Sequence, residues 1–192
     1  PAPPFKTEST AGTINFPADF GTSWKIILSH PMDFTPVCST ELIELANLQD
    51  SFEKLDVKLM VVSGDPLETH KQWKTSLEEI EYKGYSRKKI RFPIVDDSDL
   101  VIAKLYGMIH RESDNNREVR GVFIIDPDNK IRAEYFYPQE VGRNMDEILR
   151  TVIALQTADS NKVLTPANWK VGNDVIVPFP QKTNMSLMNK ES

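Results

Sequence analysis

Residues 30–41 read His-Pro-Met-Asp-Phe-Thr-Pro-Val-Cys-Ser-Thr-Glu and contain Cys38, the one cysteine among 192 residues. An apolar run from Trp24 to Leu28 precedes this stretch and predicts a buried strand. From Cys38 to Leu55, leucine, alanine and phenylalanine recur at helical spacing and predict a helix. The stretch therefore joins a strand to a helix and places Cys38 in the first helical turn. Unpaired backbone N–H groups and the positive helix end stabilise an anion there, and the thiolate is the reactive form of cysteine.

The residues before Cys38 fit such a junction. Pro36 lies where the helix begins, so its missing N–H is not needed, and Pro31 makes the approach to the helix rigid. Thr35, three residues before Cys38, can turn its hydroxyl toward the sulfur. A free cysteine is otherwise a common buried apolar residue, and composition alone favours that inert role. The position between strand and helix favours a reactive thiol instead.

Strand-like and helical patterns alternate along the rest of the chain. The further predicted strands cover residues 57–62, 92–95, 118–125 and 131–136, and the last two flank a turn and form a hairpin. The further predicted helices cover 67–80, 144–158 and a short segment through Ala103 and Leu105, with Ser98 or Asp99 as its N-cap. This order predicts an α/β fold with a mixed central sheet flanked by helices, compatible with a thioredoxin-like core.

The pattern changes after Ala158. We predict one domain over residues 1–158 and a C-terminal arm over 159–192. Trp169, Val177 and Phe179 look exposed in this arm, so we expect the arm to pack on the domain or on a second subunit.

Composition excludes several classes of function. Apolar residues make up 40% of the chain, charged residues 27%, and the net charge is −5, which is typical of a soluble globular protein. The absence of a basic block argues against nucleic-acid binding, and no apolar run is long enough to cross a membrane. One cysteine cannot form an intramolecular disulfide, which favours a reducing compartment, the cytoplasm. Because the chain does not begin with Met, organellar import stays open.

The three histidines are scattered and, with one cysteine, give no metal-ligand spacing, so we predict no bound metal. His70 falls on the apolar face of its predicted helix and is interpreted as a core residue. His110 lies in a polar segment and is interpreted as exposed.

Pro31, Thr35 and Cys38 match the Pro-x-x-x-Thr-x-x-Cys signature of peroxiredoxins, and residues 30–41 as a whole resemble the one-cysteine branch of that family. The similarity covers most of the chain and resumes at 61–63, 92–94, 120–127, 142–144 and 165–170. The resemblance implies a thioredoxin-like fold and a thiol peroxidase that reduces hydrogen peroxide and organic hydroperoxides.

The resemblance also implies roles for three residues. Cys38 would attack the peroxide, release water or alcohol, and become a sulfenic acid. Thr35 would hydrogen-bond the peroxide and the thiolate. Arg120 would hold the thiolate and stabilise the leaving oxygen, although on charge alone an arginine that enters a strand is usually a surface residue.

Four further residues are implied as supporting groups. Glu41 would orient Arg120, and Arg143 would complete an Arg–Glu–Arg network. Without the resemblance, Glu41 is interpreted as a solvated acid of the first helical turn, which the helix dipole favours. Pro31 would shield the sulfur from water, and His30 would lie near it.

No resolving cysteine exists in the chain, so the sulfenic acid must be reduced by an external thiol such as glutathione or thioredoxin, by another thiol protein or by ascorbate. No bound cofactor is expected. The resemblance implies a homodimer or a higher oligomer.

Some one-cysteine relatives are also lipases and carry a Gly-x-Ser-x-Gly-like segment. Here residues 21–25 place Ser23 in that position, but Lys25 replaces the second glycine and Pro17 stands near the place of the upstream histidine. A serine without a base is not activated, and we therefore expect no phospholipase activity.

Other functions remain open on the sequence. Oxidation of Cys38 could switch a redox sensor or a holdase chaperone, or the chain could be a catalytically silent relative, against which Thr35, Cys38 and Arg120 argue together. A thioredoxin-type disulfide reductase is disfavoured because there is no Cys-x-x-Cys pair.

Overall fold

The computed structural model of the chain describes residues 1–84, 87–109 and 118–178. The chain divides into two compact units, Pro1–Arg143 and Asn144–Ser192. Within its described residues, the first unit contains the elements β1 (Phe5–Thr7), β2 (Ile14–Phe16), a short 3-10 helix (Ala18–Phe20), β3 (Trp24–Ser29), α1 (Pro36–Lys54), β4 (Val57–Ser63), α2 (Leu67–Leu77), β5 (Ile94–Asp96), α3 (Val101–Leu105), β6 (Arg120–Ile125) and β7 (Ile131–Tyr137).

Five strands form a mixed sheet in the order β5-β4-β3-β6-β7. β3 and β5 both run parallel to β4, whereas β6 runs antiparallel to β3 and to β7. The predicted α/β fold with a mixed sheet is confirmed, and so is the hairpin of β6 and β7. Because β3 and β6 are antiparallel, the end of β3 at Ser29 lies beside the start of β6 at Arg120. This register brings the 30–41 stretch and Arg120 to the same edge of the sheet.

The sheet is the core of the first unit. All six residues of β3 and all six of β6 are buried, which explains why the sequence shows continuous apolar runs rather than an alternating pattern. Tyr106 and Phe123 pack edge to face with ring centroids 5.1 Å apart. Burial of such side chains supplies most of the stability, about 1.5–3 kcal/mol for each large one. The main cluster consists of Ala2, Ile14, Phe16, Phe20, Ile27, Met60, Val62, Val95, Ile102, Ala103, Tyr106, Met108, Val119, Phe123 and Ile125.

The N-terminal hairpin of β1 and β2 was not predicted. Its two strands pair antiparallel, and the segment that follows β1 reaches the edge of the main sheet. There the Asp96 N–H donates to the Glu8 carbonyl at 3.0 Å, and the Thr10 N–H donates to the Ile94 carbonyl at 2.9 Å. β1 and β2 are too short to show a readable periodicity, and their pairing with each other defines them.

The start of α3 also differs from the prediction. Neither Ser98 nor Asp99 caps it; the carboxylate of Asp97 accepts the N–H groups of Ile102 at 2.8 Å and Ala103 at 2.7 Å. Leu100 precedes the helix in the left-handed region, with φ of 55°. This turn of the chain brings the first N–H groups of α3 back to Asp97 at the end of β5.

The second unit begins with helix α4 (Met145–Asn161), and the Asn144 side chain caps it by accepting the Glu147 N–H at 3.1 Å. In the following segment, Leu164 and Ile176 form an antiparallel bridge. Trp169 is buried, unlike the exposed side chain that the sequence suggested, and its indole donates to the Asn173 carbonyl at 3.0 Å.

Val177 in this segment is exposed, while Phe179, like His110 of the first unit, lies outside the described residues. The predicted domain boundary after Ala158 stays a prediction. Among the helices of the described residues, none is long and apolar enough to span a membrane.

Candidate active site

Cys38 is the third residue of α1. Thr35 is the N-cap with extended backbone angles, and Pro36 is the first helical residue. The cysteine therefore lies in the first turn, where backbone N–H groups have no helical partner. Its side chain is completely buried, and the Nη1 atom of Arg120 donates to its sulfur at 3.2 Å.

Arg120 is held at the start of β6 by contacts on both sides. Its Nη1 also donates to Glu41 Oε2 at 2.9 Å, and its Nε donates to the Gln139 carbonyl at 2.9 Å. The next residue, Gly121, donates its N–H to Ser29 Oγ at 2.9 Å. The guanidinium is thus attached to α1 and to Gln139, and the Gly121 bond attaches the backbone of β6 to the end of β3. Nη1 also faces the sulfur. Arg120 is buried, not a surface residue.

Glu41 joins Arg120 to Arg143. The Arg143 backbone N–H and Nε both donate to Glu41 Oε1, at 2.8 and 3.0 Å, and Arg143 Nη2 donates to Oε2 at 2.7 Å. Arg143 Nη1 donates in addition to the carbonyls of Ser29 at 2.7 Å and Gly121 at 2.8 Å. The structure thus brings the predicted Arg–Glu–Arg network together, and Glu41 is not a solvated acid.

The network has an unbalanced charge. Burial by itself would raise the pKa of Glu41, but the charge and hydrogen bonds of Arg143 and the charge of Arg120 outweigh it and hold that pKa below its ordinary value. Glu41 is therefore a carboxylate between two guanidinium cations, which leaves one positive charge in a buried site. A buried charge is costly without a counterion, and the Cys38 sulfur is the side-chain atom that Arg120 Nη1 contacts besides Glu41.

Pro31 and Thr35 precede Cys38 in the chain, and both are half-buried. The Thr35 hydroxyl donates to the Met32 carbonyl at 2.8 Å instead of turning toward the sulfur. Its oxygen can still accept a hydrogen bond, since a hydroxyl has two lone pairs. The expected contact of Thr35 with a peroxide stays a prediction.

A second buried group adjoins the cysteine stretch. His30 Nε2 lies 2.6 Å from Asp33 Oδ1, and His70 Nδ1 lies 2.6 Å from Asp33 Oδ2. All three side chains are buried. His70 is thus a paired core histidine, as interpreted from the sequence, but Asp33 was not singled out. The signal available was the i, i+3 spacing of His30 and Asp33 in the quoted stretch.

The ionisation of this group follows from its burial and bonds. Burial lowers the pKa of His30 below its ordinary value and outweighs the opposing effect of Asp33. Burial alone would raise the pKa of Asp33, but the hydrogen bonds from His30 and His70 bring it below its ordinary value. Because a carboxylate only accepts hydrogen bonds, the His30 and His70 nitrogens that face Asp33 both carry hydrogen.

One set of metal-ligand types occurs among the described residues. His30, Asp33 and Asp65 place ligand atoms within 4.8 Å of one another. These groups are already bonded together, because Asp33 pairs with His30 through its side chain and donates its backbone N–H to Asp65 Oδ2 at 2.6 Å. The predicted absence of a metal stays a prediction.

Ser23 has a carboxylate neighbour rather than an imidazole base. Its hydroxyl donates to Asp56 Oδ1 at 2.7 Å. The two histidines of the described residues, His30 and His70, are both paired with Asp33. A Ser–His arrangement therefore does not form at Ser23 in the described part of the chain.

Known protein families and individual proteins match this chain. Residues 1–134 match the AhpC/TSA family, and residues 154–188 match the C-terminal domain of 1-Cys peroxiredoxin. A peroxiredoxin of Methanosarcina mazei is 47% identical over 180 residues, which cover 93% of this chain and 82% of that protein. A 1-Cys peroxiredoxin of Dictyostelium discoideum is 43% identical, over 91% of this chain and 70% of its own.

A solved structure of the yeast mitochondrial 1-Cys peroxiredoxin is also similar. It superposes with a TM-score of 0.84 at 41% identity, covering 92% of this chain and 84% of the yeast chain. The yeast structure concerns a thiol-resolving mechanism via glutathione and thioredoxin systems.

Proposed function

This chain belongs to the peroxiredoxin family, in its one-cysteine branch, and we propose that Cys38 is the sulfur with which it reduces peroxides. The chain is a thiol peroxidase with a single cysteine. The observation that carries the proposal is the contact of 3.2 Å between the Cys38 sulfur and Arg120, within a buried network that carries one excess positive charge.

The proposed reaction begins with attack of the Cys38 thiolate on the hydroxyl oxygen of a hydroperoxide, ROOH. A sulfur–oxygen bond forms, the oxygen–oxygen bond breaks, and its electron pair leaves with RO⁻. A proton from water converts RO⁻ to ROH, and Cys38 is left as a sulfenic acid. Arg120 acts at both ends of this step, because its guanidinium stabilises the thiolate before the attack and the leaving oxygen during it.

The supporting residues act through Cys38 and Arg120. Glu41 and Arg143 hold the Arg120 guanidinium in place, and the lone pairs of the Thr35 oxygen accept a hydrogen bond from the peroxide. Pro31, half-buried at the start of the loop, limits access of water, and His30 packs in the buried polar group behind it. Fixed donors cost no reorganisation at the moment of reaction, which is why such a network accelerates it.

The sulfenic acid is reduced by an external thiol. Two thiols are needed: the first forms a mixed disulfide with Cys38 and releases water, and the second restores the Cys38 thiol and leaves as an external disulfide. Glutathione and thioredoxin are the proposed reductants. The support is the single cysteine of this chain and the use of both systems by the yeast relative.

We propose a homodimer or higher oligomer and a cytoplasmic location. Strand β7 lies at the end of the described sheet and exposes alternate residues, among them the large apolar side chain of Phe136, which a second copy could cover. Size-exclusion chromatography with light scattering tests the assembly, and a dilute monomer would contradict it. A yeast relative is mitochondrial, so fractionation of the cells that produce this chain tests the location.

The function is tested by stopped-flow oxidation of the reduced protein with hydrogen peroxide, with Cys38→Ser alongside. Trp73 is a built-in reporter, because its indole donates to the side chain of Ser39, the neighbour of Cys38, at 3.3 Å. We expect rapid stoichiometric oxidation that Cys38→Ser abolishes. Oxidation no faster than that of an ordinary free thiol would overturn the proposal. Fast oxidation with no turnover on either reductant would instead indicate a redox sensor or holdase.

A further inference from the structure

Helix α2 is attached to the cysteine stretch by buried side chains. His70 and Trp73, one helical turn apart on α2, both face residues 30–39. His70 Nδ1 lies 2.6 Å from the Asp33 carboxylate, and both side chains are almost fully buried, with exposures of 0% and 1%. Asp33 also donates its backbone N–H to Asp65 Oδ2 at 2.6 Å. Asp33 is therefore fixed through its side chain and its main chain.

Trp73 adds an aromatic contact on the same side of the loop. Its ring centroid lies 4.9 Å from that of His30 and 6.4 Å from that of Phe34. Its indole N–H donates to Ser39 Oγ at 3.3 Å, one residue after Cys38. Residues on both sides of the cysteine in the chain are thus joined to α2.

The loop that these contacts hold is strained. Phe34 has a φ of 57°, in the left-handed region that residues other than glycine rarely adopt. Its neighbours are both fixed, Asp33 by the bonds above and Thr35 by its bond to the Met32 carbonyl. A strained conformation persists only when its surroundings determine it, so loss of the contacts to α2 should let residues 31–37 relax.

Movement of this loop matters because the Cys38 side chain has no exposed surface. A small peroxide needs little room, but a thiol reductant must bring its own sulfur within bonding distance of Cys38. The closed loop keeps the sulfur against Arg120 for the first reaction and hides it from the second.

We propose that Asp33 and His70 are positioning residues: their buried bond holds the cysteine loop against α2 and thereby sets how fast Cys38 reacts with peroxide and how accessible it is to bulky thiol-directed reagents. The inference rests on Cys38 as the reacting sulfur. Neither residue touches the sulfur; each acts through the position of the loop. Weakening the contact should slow oxidation by peroxide and speed the attack of bulky thiol-directed reagents.

Two rates measured on the same proteins test this. The first is oxidation of Cys38 by hydrogen peroxide, followed by rapid quench and mass spectrometry. The second is modification of reduced Cys38 by the bulky aromatic disulfide DTNB. Asp33→Asn and His70→Phe remove the charge-assisted bond, and Trp73→Phe keeps an aromatic ring while removing the donor to Ser39. Lys71→Gln on the exposed face of α2 is the control.

For Asp33→Asn and His70→Phe we expect oxidation to slow by about tenfold and DTNB modification to speed up by about tenfold or more, as the loss of one buried charge-assisted bond predicts. Trp73→Phe should move both rates in the same directions by less, and Lys71→Gln should change neither. Rates that fall together, or that stay at the parent values, would overturn the proposal.

If Asp33→Asn or His70→Phe fails to fold, as far-UV circular dichroism would show, the Trp73→Phe rates decide. If the parent itself is not oxidised rapidly, the proposed role of Cys38 fails first. If the parent is oxidised rapidly and the variant rates do not change as expected, only the proposed role of the Asp33–His70 contact fails.

Discussion

Replacement of Glu41 by glutamine tests whether the buried network depends on charge as well as on shape. Glu41 accepts four N–H bonds, two from Arg143 on Oε1 and one each from Arg143 and Arg120 on Oε2. Glutamine keeps one acceptor oxygen and puts an NH2 group in place of the other. Two of the four bonds are therefore lost, and the NH2 group faces guanidinium N–H groups that it cannot accept from.

The expected loss of stability follows from these bonds. A buried hydrogen bond to a charged group is worth about 1.5–3 kcal/mol, so two lost bonds amount to about 3–6 kcal/mol. Breaking a buried ion pair by removal of one partner costs about 3–5 kcal/mol. The two ranges overlap, so we expect Glu41→Gln to lower the free energy of unfolding by about 3–5 kcal/mol.

The effect on the reaction should be smaller than removal of Arg120. Loss of a whole transition-state donor slows reactions by about 100- to 1000-fold. In Glu41→Gln the Arg120 guanidinium keeps its bond to the Gln139 carbonyl and is only partly misplaced. We therefore expect Cys38 oxidation to slow by about 10- to 100-fold, short of that limit.

Urea unfolding followed by circular dichroism and stopped-flow oxidation measure the two effects. Glu53→Gln is the matched control, because Glu53 lies on the same helix and pairs with Arg91 at 3.0 Å while more than half exposed. We expect Glu53→Gln to leave both measurements close to the parent. A Glu41→Gln protein with the stability and rate of the Glu53→Gln control would refute the charge argument.

The same substitution has a pH signature. Arg143 and Arg120 hold the pKa of Glu41 below its ordinary value against the opposing effect of burial. A carboxyl with a lowered pKa in the folded state stabilises the protein above its unfolded pKa, and this contribution is lost as the pH falls through the folded value. The parent should lose stability in acid more steeply than Glu41→Gln, which lacks that carboxyl.

Three further substitutions give separate expectations. Burial and the charge of Asp97 raise the pKa of Glu118 well above its ordinary value. The folded state therefore binds a proton that the unfolded state releases, and the free energy of unfolding falls as the pH rises. Urea unfolding at about pH 5 and about pH 8 should show this fall in the parent and not in Glu118→Gln. Gly121→Ala puts a Cβ 3.0 Å from Ser29 Oγ, which should cost about 1–3 kcal/mol in unfolding and slow Cys38 oxidation. Asn144→Ala removes the cap of α4 and should cost about 1 kcal/mol by thermal unfolding without altering the oxidation rate.

The sequence predicted the large elements of the fold because burial leaves a local trace. β3 and β6 are buried at every residue, so their apolar runs are continuous and easily read. The N-terminal strands and the cap of α3 leave no such trace. β1 is defined by pairing with β2, and the cap of α3 comes from Asp97 across a left-handed turn at Leu100. Neither depends on a pattern within the element itself.

Some residues of the site could be predicted from local sequence and others could not. The first-turn position of Cys38 follows from local sequence, but Arg120 lies 82 residues away and meets it through the antiparallel register of β3 and β6. The resemblance to a family supplied that pairing, and spacing alone did not. Asp33 was missed although it lies five residues before Cys38. Its second partner is His70, and the apolar face of the helix around His70 indicated only a core residue.

The Arg–Glu–Arg network and the Asp33–histidine group are attached to different parts of the fold, so their effects on Cys38 should differ. Arg120 and Arg143 are held by the carbonyls of Gln139, Ser29 and Gly121, none of which belongs to the loop before Cys38. The guanidinium groups should therefore stay in position when residues 31–37 move, and the sulfur should return to a preformed cation. Asp33, by contrast, lies within the loop and moves with it.

A double dissociation follows from this difference. Glu41→Gln should slow oxidation of Cys38 without exposing the sulfur to DTNB, since the loop keeps its contacts with α2. Asp33→Asn should slow oxidation and increase DTNB modification together, since the sulfur leaves an intact cation. If Glu41→Gln exposed the sulfur as much as Asp33→Asn does, the network and the loop would be one cooperative unit, and the separate roles assigned to them would be wrong.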